Sequence, residues 1–146
     1  MTGARLDVAI VGGGIVGLAT AVAVLRRFPR LRVAVLEKEP RVGLHQSGRN
    51  SGVVHSGIYY EPGSLKARLC VEGAAEMALF CEENGVPLVR RGKVVVASEE
   101  RELAGLEELH RRGVANGVPG LSLIGPERLR EIEPACRGVR ALYVPS

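Results

Sequence analysis

The chain has 146 residues, 46% of them hydrophobic and 25% charged, with no Trp and only 3% aromatic residues. That composition excludes an intrinsically disordered chain and points to one domain of ordinary size with an aliphatic and alanine-filled core. The formal charge is +4, but the basic residues fall in scattered pairs such as Arg26-Arg27 and Arg90-Arg91, without the basic face and stacking aromatics of a nucleic-acid binder.

Leu6 to Val11 is short, apolar and β-branched, and a glycine turn follows it, which predicts a buried strand. Ile15 to Phe28 is rich in Ala, Val and Leu and predicts a helix. "RVAVLE", Arg32 to Glu37, predicts a second strand. Together these form a βαβ unit, whose parallel strands are nearly all apolar because both faces are covered. Val8 to Leu25 is also an uncharged run of the length that flags a membrane span. Gly12, Gly13, Gly14 and Gly17 in its middle favour strand, turn and helix instead.

Pro40 to Gly63 is rich in Gly, Ser and Asn and has little period, as functional loops of this length do. Ser64 then caps a predicted helix that runs to Asn84, with Gly85 as its stop signal. At roughly 100° per residue, Leu69, Phe80, Met77, Cys70, Cys81, Ala67 and Val71 share one apolar arc of that helix. Lys66 projects from the same arc, in the first turn, where a cation opposes the helix dipole. Pro87 to Ala97 predicts a strand interrupted by Gly92, Ser98 to Ala115 a charged amphipathic helix, Pro126 to Glu133 a short helix, and "VRALYVP" a last strand. The Gly85–Pro87 turn divides the chain into 1–86 and 87–146. Cys70, Cys81 and Cys136 show no zinc spacing. On one helix Cys70 and Cys81 lie about 16 Å apart, too far for a disulfide, and three unpaired thiols fit a reducing compartment. No metal cluster is predicted.

Gly12-x-Gly14-x-x-Gly17 follows a strand and opens a helix, and Glu37 ends the second strand. This is the spacing of a dinucleotide site. Gly12 allows the tight turn, Gly14 lets the backbone approach a pyrophosphate, and Gly17 lets helix and strand pack closely. Unpaired N–H groups at the helix start hold the anion, and Glu37 accepts hydrogen bonds from an adenosine ribose, which disfavours a 2′-phosphate. The motif leaves NAD and FAD both open. In the loop that follows, Gln46, Ser47, Asn50 and Ser51 offer amides and hydroxyls, and Gly48 and Gly52 let the backbone come close. Its first half suits a dinucleotide track, and Val53-Val54-His55 suits the approach to a reactive ring.

"VAIVGGGIVGLATA", "VLEKE", "HQSGRNSGVVHSGIYYEPGSLKARLCVEG", "GKVVVA", "ANGVPGLSLI" and "EPACRGVRALYVPS" together resemble the L-2-hydroxyglutarate dehydrogenase/oxidase family. That family belongs to the FAD-dependent, D-amino-acid-oxidase-like oxidoreductases. The resemblance covers nearly the whole chain but only the N-terminal third of a family member, so the chain reads as a fragment. Family members' later strands and most of their substrate pocket lie outside it, and its activity alone is in doubt.

The implied fold is α/β: a Rossmann-like FAD-binding βαβ unit with a parallel sheet, then the start of an α+β substrate-binding domain from about Pro87. The resemblance implies that Gly12, Gly14, Gly17, Glu37 and Lys38 hold the adenosine and pyrophosphate of FAD. It also implies that Gln46, Ser47, Asn50, Ser51, Gly52 and Val53 line the path to the isoalloxazine.

The implied reaction is oxidation of a 2-hydroxy acid, with electrons returned to oxygen or a membrane quinone and with peripheral membrane contact. It needs a base of near-neutral pKa, and His55 is the candidate; positioning of the flavin or covalent attachment to it are its other readings. Tyr60 and Lys66 are candidates for the substrate, Lys66 as the partner of a carboxylate or as a snorkelling side chain. His45 and His110 show no partners in the sequence. Other flavin oxidation, of an amine or of glycerol 3-phosphate, and a non-catalytic ADP-holding fragment are the competing readings. The expected location is cytoplasmic or peripheral on the inner membrane.

Overall fold

The computed structural model describes residues 5–145, which pack as two compact units, Met1–Val53 and Val54–Ser146. This division by packing falls within the loop; the division expected at 86/87 is one of role, between a cofactor segment and a substrate segment. The two boundaries sort residues by different criteria.

The first unit is the expected βαβ motif: β1 (Val8–Val11), α1 (Ile15–Arg27) and β2 (Val33–Leu36). Valine and isoleucine favour the extended backbone of both strands. They pair in parallel, Val8 opposite Val33 and Val11 opposite Leu36. Arg26 and Arg27 in the last turn of α1 complement its dipole. The apolar run from Val8 to Leu25 is thereby divided between a strand and a helix, and no helix among the described residues is long and apolar enough to cross a membrane. The expectation of strands covered on both faces does not hold for this unit. Val11 of β1 is 85% exposed and Leu36 of β2 52%, because two strands and one helix do not enclose a parallel sheet.

One clamp joins the entries to the two strands. The Asp7 carboxylate accepts from the Arg32 backbone N–H at 2.9 Å and from its guanidinium through Nε and Nη2, both at 3.0 Å. The Arg32 side chain, then its backbone N–H, hold the Asp7 carboxyl well below its ordinary 3.8, at about 2. A carboxyl depressed on folding contributes stability above its unfolded pKa and loses it as pH falls through the folded one. The stability gap between the wild type and Asp7→Asn is therefore expected to be full at neutral pH and to close between about pH 4 and pH 2. Unfolding midpoints measured across that range check it.

The second unit contains α2 (Leu65–Glu83), β3 (Lys93–Ala97), α3 (Leu103–Ala115), β4 (Ser122–Ile124), α4 (Pro126–Ile132) and β5 (Arg140–Val144). Its sheet has the order β3-β5-β4, antiparallel throughout. β5 is central, which is why Ala141, Leu142 and Val144 are buried. Ile58, Ala97, Leu106, Val118, Leu142 and Val144 form the core. Full burial of a side chain such as Ile58 stabilises by about 1.5–3 kcal/mol.

Ser64 caps α2 as expected, its hydroxyl accepting from the Ala67 N–H at 3.1 Å. The apolar arc of α2 is only half used: Ala67 and Cys81 are buried, while Leu69 and Phe80 are exposed at 55% and 40%. The strand expected over Pro87 to Ala97 is confined to the part after Gly92. The charged helix starts later than expected, after a 3-10 turn at Glu100–Glu102. Glu102 explains that turn, since its carboxylate accepts from the N–H groups of Ser98 and Glu99. All three cysteines are free thiols.

Candidate functional site

The glycine turn between β1 and α1 is shaped by contacts a side chain would destroy. Gly12 adopts φ +103°, open to glycine at no steric cost. A Cβ on Gly17 would fall inside the radius of the Gly12 carbonyl oxygen and lie 3.5 Å from Ile10 Cγ2. Gly17 therefore permits the close helix–strand approach its place in the motif implies. Gly13, which has no role of its own in the spacing of the motif, is buried. A Cβ there would meet Val42 Cγ1 at 2.9 Å.

Glu37 is tied back into this turn. Its carboxylate accepts from the Gly13 N–H at 2.6 Å and from the Glu39 N–H at 3.0 Å. The backbone N–H of Glu39, then that of Gly13, lower its pKa, so it stays ionised. A carboxylate offers about four acceptor positions, which leaves capacity for ribose hydroxyls. Ser47 reaches the start of α1, where its Oγ accepts from the Ile15 N–H at 2.8 Å. A Cβ on Gly14 would lie 3.3 Å from that oxygen. The structure thus gathers Gly12, Gly14, Gly17, Glu37 and Ser47 around one helix N-terminus. Ile15 gives its N–H to Ser47; the N–H groups that follow it in the first turn have no partner one turn earlier, and groups so placed suit an anion.

The remaining loop residues are organised differently. The Asn50 amide donates to the carbonyls of Gln46 and Ser47, both at 3.0 Å, and its oxygen accepts from the Gly52 N–H at 2.7 Å. Ser51 Oγ accepts from the Val53 N–H at 3.4 Å. Asn50 and Ser51 therefore fold the loop, and Gln46 opens a 3-10 turn, Gln46–Gly48. Val53 is exposed. Lys38 is exposed and lies 3.9 Å from Glu39. His45 does have a partner, Glu39 Oε1 at 2.9 Å.

In the second unit His55 is exposed, with no hydrogen bond to its ring among the described residues. Its backbone carbonyl accepts from the Cys70 thiol at 3.2 Å. Tyr60 and Lys66 are brought together, with Lys66 Nζ 4.7 Å from the centroid of the Tyr60 ring, a cation–π contact. Lys93 stands likewise over Tyr59 at 5.4 Å, and burial pulls its pKa down. Sequence reasoning missed Lys93, Cys70 and Asn116 in this region. Asn116 donates through Nδ2 to the carbonyls of Gly57 and Tyr60, at 3.0 and 2.9 Å.

Over 139 residues the chain is 52% identical to the human mitochondrial L-2-hydroxyglutarate dehydrogenase, covering 95% of this chain and 30% of that protein. It is 51% identical over 139 residues to the L-2-hydroxyglutarate dehydrogenase of Indibacter alkaliphilus, covering 95% of this chain and 35% of that protein. The chain thus spans about a third of the length of these relatives. Among solved structures it resembles the L-α-glycerophosphate oxidase of Mycoplasma pneumoniae with FAD bound, at a TM-score of 0.82 and 32% identity over 96% of this chain and 37% of that one. The expected cytoplasmic or inner-membrane location is overturned, since the human and bovine relatives are mitochondrial. Residues 7–146 match the family model described as FAD dependent oxidoreductase, and with the glycine cradle and its acid in place the chain belongs to that family, whose cofactor is FAD.

Proposed function

We propose that this segment is the cofactor-binding and loop-bearing part of an FAD-dependent enzyme that oxidises L-2-hydroxyglutarate, or a closely related 2-hydroxy acid, to the 2-oxo acid. The observation that carries the reading is the cradle of Gly12, Gly14 and Gly17 with Glu37 and Ser47 at the start of α1, in a chain about half identical to two such dehydrogenases. In this reading Gly12, Gly14, Gly17, Glu37 and Lys38 hold the adenosine and pyrophosphate. Gln46, Ser47, Asn50, Ser51, Gly52 and Val53 border the path to the ring, Asn50 and Ser51 by fixing the loop's shape. Residues 87–146 begin the substrate-binding domain.

FAD, when bound, supplies the acceptor for the hydride that leaves the carbinol carbon. His55 takes the hydroxyl proton on its ring, a role suited to an imidazole that no other side chain engages among the described residues. Lys66, oriented by the Tyr60 ring, pairs with a carboxylate of the substrate. The electrons pass on to oxygen or to a membrane quinone, and the quinone would bring peripheral membrane contact.

A second reading is oxidation of glycerol 3-phosphate, favoured by the likeness to the Mycoplasma oxidase. The two are separated by turnover in a full-length protein, this segment completed with the rest of the Indibacter chain. With a dye as electron acceptor, L-2-hydroxyglutarate is expected to be turned over and glycerol 3-phosphate and sarcosine not. Turnover of glycerol 3-phosphate alone would decide for the second reading.

A further inference from the structure

The segment that carries His55, Tyr59 and Tyr60 has no helix or strand of its own, yet it is held from two sides. The Asn116 side-chain amide, at the C-terminal cap of α3, is directed at it and donates through Nδ2 to the carbonyls of Gly57 and Tyr60. These two carbonyls bracket the turn closed by the Tyr60 N–H on the Gly57 oxygen. Between them Ile58 is fully buried. It lies against Gly113 of α3, where an added Cβ would stand 3.1 Å from Ile58 Cγ2. Gly57 lies so close to α2 that a Cβ would come within 2.9 Å of Val71 Cγ2. The Cys70 thiol on α2 donates to the His55 carbonyl, and burial raises its pKa, so it remains an S–H donor. The side chains of His55 and Tyr59 are left exposed on this clamped backbone.

We infer that Asn116 is a positioning residue for the proposed reaction: its amide, with the Cys70 thiol as a second tether, fixes the backbone from His55 to Tyr60. The inference rests on the flavoenzyme reading above. Asparagine is required because only an amide brings two donors to two carbonyl oxygens at this length. A carboxylate of the same shape has no donor and would face both oxygens with like charge. Asn116 also differs from an ordinary helix cap. Asn84 is likewise the C-cap of its helix, α2, but turns its amide back onto that helix, donating to the Phe80 carbonyl at 2.8 Å. It is therefore the control for lost capping.

The experiment compares Asn116→Ala, Asn116→Asp and Asn84→Ala in the full-length protein completed as above, measuring flavin content, unfolding midpoint, kcat, KM and the pH profile of kcat/KM. The Asn116 variants are expected to keep their flavin and to lose about 100-fold in kcat, the cost of a misplacement of about 1 Å. KM is expected to change much less, and the limb of the pH profile that reports the base to move. Asn84→Ala is expected to lower the midpoint and leave kcat and the profile as in the wild type. Should the Asn116 variants not fold, Cys70→Ala removes the other tether without touching α3, and a kcat several-fold lower at full flavin content supports the inference. Asn116 variants that lose only stability, as Asn84→Ala does, or a Cys70→Ala protein with wild-type kcat when the Asn116 variants do not fold, would overturn it. A colourless wild type would instead count against the flavoenzyme reading, and against the inference with it.

Discussion

Gly17→Val is expected to yield a full-length protein purified without flavin colour. The new Cβ falls on the Gly12 carbonyl oxygen. Backbone cannot yield as a flexible side chain can, so α1 must move away from β1 and the anion cradle opens. Overpacking of this kind costs about 3 kcal/mol, or ~100-fold in affinity if the cost falls on the bound conformation. The check is FAD content on purification and titration of the stripped protein with FAD. Gly73→Ala is the matched control. Gly73 lies within α2 with nothing inside 4 Å of an added Cβ, so alanine there should keep the colour and raise stability by about 0.5–1 kcal/mol. A yellow Gly17→Val protein of wild-type affinity would show that the cradle does not hold the pyrophosphate.

His55→Ala is expected to bind FAD normally and to be reduced by substrate ~10²–10⁴-fold more slowly, the range for loss of a general base. The arrangement of the loop makes the prediction specific. The His55 carbonyl is engaged by Cys70 while the ring is free among the described residues, so truncation removes the imidazole and leaves the tether. Stopped-flow reduction under anaerobic conditions measures the rate directly. An unchanged rate would remove His55 from the chemistry, and an unchanged rate with lost flavin would make it a residue that holds the ring.

The first unit was legible because each of its signals is local. The β-branched runs, the Gly12–Gly17 spacing and Glu37 lie within about thirty residues, the span of one βαβ unit. Ser64 and Gly85 marked the ends of α2 for the same reason. What the sequence hid depends on contacts between distant residues. β4 is three residues long and owes its pairing to β5, so no period announced it. The bare half of the α2 arc cannot be told from its buried half by angle alone, since both carry apolar residues. Asn116 reads as a loop residue until the fold brings it to Gly57 and Tyr60, 59 and 56 positions away. In the loop itself the polar residues were visible as ligand candidates. The structure shows that Asn50 and Ser51 bond to the loop's own backbone, whereas Ser47 and Glu37 reach the helix start.

The central claim, that this segment serves an FAD enzyme acting on a 2-hydroxy acid, is tested most directly by mixing the yellow full-length protein with L-2-hydroxyglutarate in the absence of oxygen. The account predicts that the flavin colour bleaches and that one 2-oxoglutarate forms per flavin. Colour that persists with L-2-hydroxyglutarate but bleaches with glycerol 3-phosphate or sarcosine would contradict it.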